Sequence, residues 1–241
     1  MSVTDKLLTL KEYCDRDNDA EKHYELVAGK LTEMPPESPQ NAEIAIRLLL
    51  LFAQFVSPRL LRCKDTEIVV SGGRATVRLP DLMVLTEDLA NDLYSNNRST
   101  INIDMLPPAL VVEVTSPGKA NRDRDYRYKR CSAVRERMLA SRRRRRSALR
   151  GCGVSPISDT EAIASKLLCS TGANAPFKKR SEYAARSIGE YWIVDPQENQ
   201  ITVLVLNNGL YEENIYRDDM AIASSLFPQL ELTAEAIFAN S

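Results

Sequence analysis

Two acids stand in runs that otherwise read as buried strands: Asp81 in Leu79-Pro80-Asp81-Leu82-Met83-Val84-Leu85, and Glu113 in Leu110-Val111-Val112-Glu113-Val114-Thr115. A carboxylate desolvated in such a run is costly unless something neutralises it. A divalent cation does so, and two carboxylates with water at the other positions are what Mg²⁺ favours. Taken singly, an acid at a strand end is more often a solvated edge or half of a salt bridge. The pair carries more weight. Pro80 bends the chain into Asp81, and Thr115, two residues past Glu113, alternates onto the same strand face. Ser116-Pro117-Gly118 then breaks the strand, ahead of a polar helix start that holds Arg122, Asp123, Asp125 and Lys129.

The elements that must position these acids follow from hydrophobic period and turn chemistry. Residues 5–15 read as a short helix, and 24–34 as a hairpin about Ala28-Gly29. Pro35-Pro36-Glu37-Ser38-Pro39 breaks that pattern and leads into a helix from about Gln40 to Val56, with Ile44, Leu48, Leu51, Phe52 and Phe55 on one face. Glu67–Val70 and Ala75–Arg78 flank Ser71-Gly72-Gly73, a second hairpin signal that feeds the Asp81 strand. Tyr191–Asp195 is a buried strand ended by Pro196. Ile201–Leu206 and Leu210–Tyr216 flank Asn207-Asn208-Gly209, and a last helix runs from about Thr233 to Asn240. The expected class is α+β, a mixed sheet flanked by helices.

The order Pro80-Asp81, Glu113-Val114-Thr115-Ser116-Pro117, Asp125-x-x-x-Lys129 and Glu190-Tyr191-Trp192-Ile193-Val194-Asp195-Pro196 resembles the Uma-two family (domain of unknown function 820). That family belongs to the PD-(D/E)xK nuclease superfamily, and the likeness runs from about Tyr24 to about Phe238. It implies a restriction-endonuclease-like core and Mg²⁺-dependent hydrolysis of DNA phosphodiester bonds, with Mn²⁺ as a substitute and DNA as the partner. In the wider superfamily a lysine stands two residues after the second acid, where this chain has Thr115. Members of this type supply the lysine from the following helix, which implies Lys129. The implied site is then Asp81 and Glu113 as metal ligands, the Thr115 backbone carbonyl completing the shell, and Lys129 as the catalytic amine. Glu43, on the first long helix, is a candidate outer acid, although a solvated helix residue is the commoner role for such a glutamate.

At 241 residues and 44% hydrophobic content the chain can bury one full core. Its densest apolar stretch, Ile44 to Val56, is interrupted by Arg47 and Gln54, and the N-terminus lacks a signal pattern, so a cytoplasmic protein is expected. Cys14, Cys63, Cys131, Cys152 and Cys169 form neither a CxxC pair nor an even framework, which points to reduced thiols. The single histidine, His23, argues against serine-triad catalysis and a His-rich zinc site. Ser71-Gly72-Gly73-Arg74 is a hairpin rather than a phosphate loop. Trp192 reads as core, and Asp195 as a strand-end cap.

Residues 131–180 depart from this pattern. They carry twelve Lys and Arg against three Asp and Glu, including the run Arg142 to Arg146. That is +9 within the segment and −10 in the remainder of a chain whose net charge is −1. An acidic body is unlike a nonspecific DNA-binding surface. Lys129-Arg130 recurs as Lys179-Arg180, and removing 131–180 joins Tyr126–Arg130 to Ser181–Arg186 as one helical pattern. The expectation is one domain, 1–241, interrupted by a basic, disordered insertion at 131–180. If the helix starts anew after the insertion, Lys179 takes the place of Lys129. Two functions follow: a metal-dependent endonuclease, or a catalytically impaired or noncatalytic nuclease-fold binding protein disrupted by the insertion. A homodimer is compatible with either.

Overall fold

The computed structural model describes residues 7–16, 23–71, 75–96, 98–116 and 175–239. Its elements, in chain order, are α1 (Leu10–Cys14), β1 (Tyr24–Val27), β2 (Lys30–Glu33), α2 (Pro39–Phe52), β3 (Leu61–Cys63), β4 (Glu67–Ser71), β5 (Thr76–Arg78), β6 (Leu82–Val84), α3 (Glu87–Tyr94), β7 (Thr100–Ile101), β8 (Leu110–Val114), α4 (Ala175–Ala185), β9 (Glu190–Asp195), β10 (Gln200–Asn207), β11 (Leu210–Arg217) and α5 (Ala234–Phe238). One compact unit takes in Met1–Gly118 and Lys179–Ser241. Among the described residues no helix is long and apolar enough to cross a membrane.

Local chemistry explains the element boundaries. The β1–β2 turn has Ala28 at φ 52° and Gly29 at φ 83°, and the β10–β11 turn has Asn208 at 49° and Gly209 at 76°. Two positive φ values in succession are the type I′ geometry whose twist suits a tight hairpin. Helix α2 starts at Ser38, whose hydroxyl accepts the Asn41 N–H, with Pro39 in the first turn. It ends at Phe52, four residues before the expected Val56, and buries Asn41, Ile44, Leu48 and Phe52. Asp195 caps the turn after β9 by accepting the N–H groups of Gln197 and Glu198. The last helix begins at its Thr233 cap.

The strands form two sheets where the sequence reading expects one. The first has the order β2-β1-β5-β4-β7, and the second β11-β10-β9-β8-β6-β3. The chain changes sheet several times, and one crossing falls at Leu79-Pro80-Asp81: β5 ends at Arg78 in one sheet and β6 begins at Leu82 in the other. A proline has no N–H for a ladder, so neither sheet continues through Pro80. Asp81 therefore lies where the chain passes between sheets.

The second sheet is covered on both faces, which is why β8 and β9 read as near-continuous apolar runs. On one face Val112, Val114, Trp192 and Val194 pack with Ile44, Leu48 and Phe52 of α2 and with Ile237 of α5. On the other, Val111, Tyr191 and Ile193 pack with Tyr183 of α4 and Leu89 of α3. The core aromatics meet at Phe52, edge-on to Trp192 at 5.5 Å and stacked on Phe227 at 4.9 Å. Elsewhere, buried Glu67 is fully engaged by Tyr13, Arg98 and Thr100, which ties α1 to the first sheet.

Phe52 is fully buried between these two rings, so Phe52→Ala is expected to cost about 3–5 kcal/mol. Urea unfolding checks this as a lower midpoint with an unchanged slope.

Candidate active site

Strand register brings the two predicted acids together. β6 and β8 are antiparallel with Leu82 opposite Val112 and Met83 opposite Val111. One further step of that register sets Asp81 opposite Glu113, on the face that Met83 and Val111 share. Asp81 Oδ2 accepts the Val114 N–H at 2.6 Å, which anchors the carboxylate beside Glu113. Their side chains are 13% and 14% exposed. Burial pushes the Glu113 carboxyl above its ordinary range; nearby Asp81 and Glu25 add to the rise, and Lys179 opposes it.

The amine beside Glu113 belongs to Lys179. Its Nζ donates to both Glu113 oxygens, at 2.9 and 2.8 Å, from the first half of α4. Tyr183, one helical turn on, donates its hydroxyl to Glu113 Oε1 at 2.8 Å. Arg180 faces another way, to Glu213 at 2.7 Å and the Tyr211 carbonyl at 2.9 Å, and so pins the helix to β11. Lys129 lies outside the described residues, as do 131–174 of the expected insertion. Residues 175–180, its expected end, are helical and run without a break into Ser181–Ala185. Either lysine precedes Arg-Ser-Glu-Tyr at the same spacing once the insertion is counted out, so the helix that carries Lys179 has the register expected for Lys129.

Behind Lys179 is a set of charges that the sequence reading did not single out. Glu25 Oε1 lies 3.1 Å from Lys179 Nζ, and Glu25 Oε2 accepts from Arg78 at 2.9 Å. Arg78, 1% exposed, also grips both oxygens of Glu182 at 2.9 and 3.3 Å. Register explains the first pair: Leu26 of β1 faces Val77 of β5, so the next step sets Glu25 across from Arg78. Burial acts to raise the Glu25 pKa, but Lys179 and Arg78 overcome it and hold the carboxyl down at about 2. Burial likewise disfavours the Lys179 ammonium, and Glu113 with Glu25 outweighs it, leaving Lys179 well above the ordinary lysine range. The available signal was a pair of charges, Glu25 and Arg78, inside strand patterns whose neighbours are core residues.

The remaining side of the site comes from α2 and the turn before it. Asn41 Nδ2 donates to the Thr115 carbonyl and to Ser116 Oγ, both at 3.3 Å. Thr115 follows the Glu113 strand, and its carbonyl is reached by α2. Lys64 pairs with Glu37 and lies 3.4 Å from Asp81 Oδ1. Glu43 is placed differently. Its carboxylate pairs with Arg47 at 2.8 Å and is 60% exposed, and Arg47 donates to the Ile237 carbonyl of α5. Two residues along a helix is a rotation of roughly 200°, which separates Glu43 from the face of Asn41.

Removing Arg78 takes the guanidinium from both Glu25 and Glu182 and leaves Glu25 to Lys179, so Arg78→Met is expected to cost about 3–5 kcal/mol in denaturant titration. Glu25 should leave a signature in pH. Its folded pKa is depressed, so its stabilising effect is present above the ordinary 4.5 and is lost as pH falls toward about 2. The melting-temperature gap between the parent and Glu25→Gln is therefore expected to be largest near neutral pH and to close through that acid window.

Comparison with known proteins supplies the context for this arrangement. No curated protein matches the chain. Among solved structures, it is similar to one described as a "putative nuclease belonging to DUF820" from Anabaena variabilis ATCC 29413, at 15% identity and a TM-score of 0.54, over 96% of this chain and 97% of that one. At that identity the likeness is one of fold. The Uma2 family, described as "Putative restriction endonuclease", matches residues 10–145 and 167–235. This span covers most of the chain, including both strand acids and the helix that bears Lys179, and the chain belongs to the Uma2 family.

Proposed function

We propose that this protein is a divalent-cation-dependent endonuclease that hydrolyses DNA phosphodiester bonds, with Asp81 and Glu113 as metal ligands and Lys179 as the amine beside them. The observation that carries this reading is Lys179 Nζ within 2.9 Å of both oxygens of Glu113, one cross-strand step from Asp81. Membership of a nuclease family supports it.

Charge supports a cation at this point. Among the described residues five carboxylates, Glu25, Glu37, Asp81, Glu113 and Glu182, gather with three cations, Lys64, Arg78 and Lys179, leaving two negative charges. One divalent ion balances them. The donor set also suits a hard ion. Among the described residues no group of three or more His, Cys, Asp and Glu side chains is arranged for a metal, and Mg²⁺ commonly takes one or two carboxylates and keeps several waters. Asn41 Oδ1 and Thr115 Oγ1 are buried beside the acids and have no hydrogen-bond partner among the described residues, an unusual state for buried oxygens. Asp81, Glu113 and the Thr115 carbonyl would hold Mg²⁺, with Mn²⁺ as a substitute; the bound ion supplies an activated water and stabilises charge on the phosphate.

The chain's own groups do the positioning. The Val114 N–H fixes Asp81, and the Tyr183 hydroxyl fixes Glu113. Lys179 brings a permanent positive charge to the place where negative charge develops on the phosphate, from a helix that Arg180 anchors. The domain reading belongs to the same proposal: one nuclease domain interrupted by 131–180. The family match leaves out 146–166, within that segment, and takes in 131–145 and 167–180.

Plasmid nicking with Mn²⁺ tests the activity. Asp81→Ala and Glu113→Ala are expected to abolish cleavage, and Lys179→Ala to reduce it by about 10²–10³. Equal nicking by the wild type and the double carboxylate variant would overturn the nuclease reading. DNA binding without cleavage would favour the noncatalytic alternative. In a chain lacking 131–180 the fold is expected to persist with a higher melting temperature, and Lys129→Ala should then cause the loss that Lys179→Ala causes in the full chain.

A further inference from the structure

Lys179 is shared between two acids that belong to different sheets. Glu113 stands on β8 of the second sheet and Glu25 on β1 of the first. With Lys179 donating to both of its oxygens and Tyr183 to Oε1, Glu113 is heavily engaged. A divalent ion approaching the same carboxylate meets an ammonium already in contact with it. Like charges that close repel strongly in a poorly solvated site. The ammonium must therefore have somewhere else to go without being stranded. Glu25 Oε1, at 3.1 Å, is that place. Glu25 is held from behind by Arg78 and by the Leu79 N–H at 3.4 Å, so it stays put when Lys179 shifts.

We propose that Glu25 is a positioning residue, the second seat of Lys179: it takes the ammonium when Glu113 turns to a divalent cation, and so sets how tightly the site binds metal. This rests on the metal-site reading above. Without Glu25, Lys179 has Glu113 alone, and the amine competes fully with the metal. Shortening the acid by one methylene has the same consequence even though the charge remains. A glutamate acting only through its charge would behave otherwise, because its aspartate variant would be silent and its effect would not require Lys179.

The test is calorimetric titration of the full chain with Mn²⁺ alone, with melting temperatures recorded for each variant. The wild type is expected to bind Mn²⁺ at a site lost in Asp81→Asn. Glu25→Gln and Glu25→Asp are each expected to weaken that binding about tenfold or more, the range for outer-shell partners of a metal site. Lys179→Met should tighten it. In the Lys179→Met background, Glu25→Gln should change affinity by less than about twofold, the limit of simple additivity. Glu25→Asp keeps the charge facing Arg78, which guards the fold if Glu25→Gln fails to express. Unchanged affinity in Glu25→Asp, or an equal loss from Glu25→Gln with and without Lys179, would overturn the inference while leaving the metal site intact. Mn²⁺ binding absent from the wild type, or indifferent to Asp81→Asn, would overturn the metal site and this inference with it.

Discussion

Carboxylates gathered away from water must be answered by positive charge or by hydrogen bonds, and this requirement organises the molecule around Glu113. Glu113 and Asp81 face each other across adjacent strands, a pairing of like charges that is destabilising by itself. It persists because Lys179 and Tyr183 are delivered to one carboxylate and a backbone N–H to the other. Lys179 is in turn kept charged against its own desolvation by Glu25 and Glu113. Each member is tolerable only because the next is present, so removing one partner costs more than the pair contributes in net stability.

Helix α4 is the element on which that balance turns. Lys179, Glu182 and Tyr183 lie three and four residues apart and therefore share a face. Glu182 takes Arg78 from the first sheet, while Lys179 and Tyr183 take Glu113 from the second. The ionic face is backed by apolar packing, since the Tyr183 ring meets Tyr191 edge-on at 5.0 Å. One helix thereby joins the charged groups of the two sheets. In the proposed reaction this coupling keeps the amine near the metal ligands, where small displacements are costly to catalysis.

An amine supplied by α4 also accounts for the short side chain at Thr115, two residues past Glu113. A long amine there would project from the same strand as Glu113, on the face already occupied by Lys179. The helix-borne amine leaves position 115 for a short side chain, whose carbonyl is instead approached by Asn41 from α2. The buried oxygens Asn41 Oδ1 and Thr115 Oγ1, without a hydrogen-bond partner among the described residues, belong to the same pair of residues.

Much of the architecture was legible because it depends on local chemistry. Positive-φ turns at Ala28-Gly29 and Asn208-Gly209, the Ser38-Pro39 helix start and the buried runs about Val112 and Ile193 each follow from neighbouring residues. Asp81 and Glu113 were visible for a related reason: an acid inside an apolar run is a local contradiction. What the sequence determined by itself was thus most of the longer elements, though not α3, β3 or β7, together with the two acids and a lysine within an Arg-Ser-Glu-Tyr register. Its repeated Lys-Arg left that lysine undecided between 129 and 179, because both copies satisfy the same helical spacing. Only the tertiary structure placed Lys179 against Glu113, sorted the strands into two sheets, and brought Glu25 and Arg78 from the first sheet up behind the amine. Those outcomes depend on which strands pair and which helix covers them, and such long-range contacts are written in no single stretch of the chain.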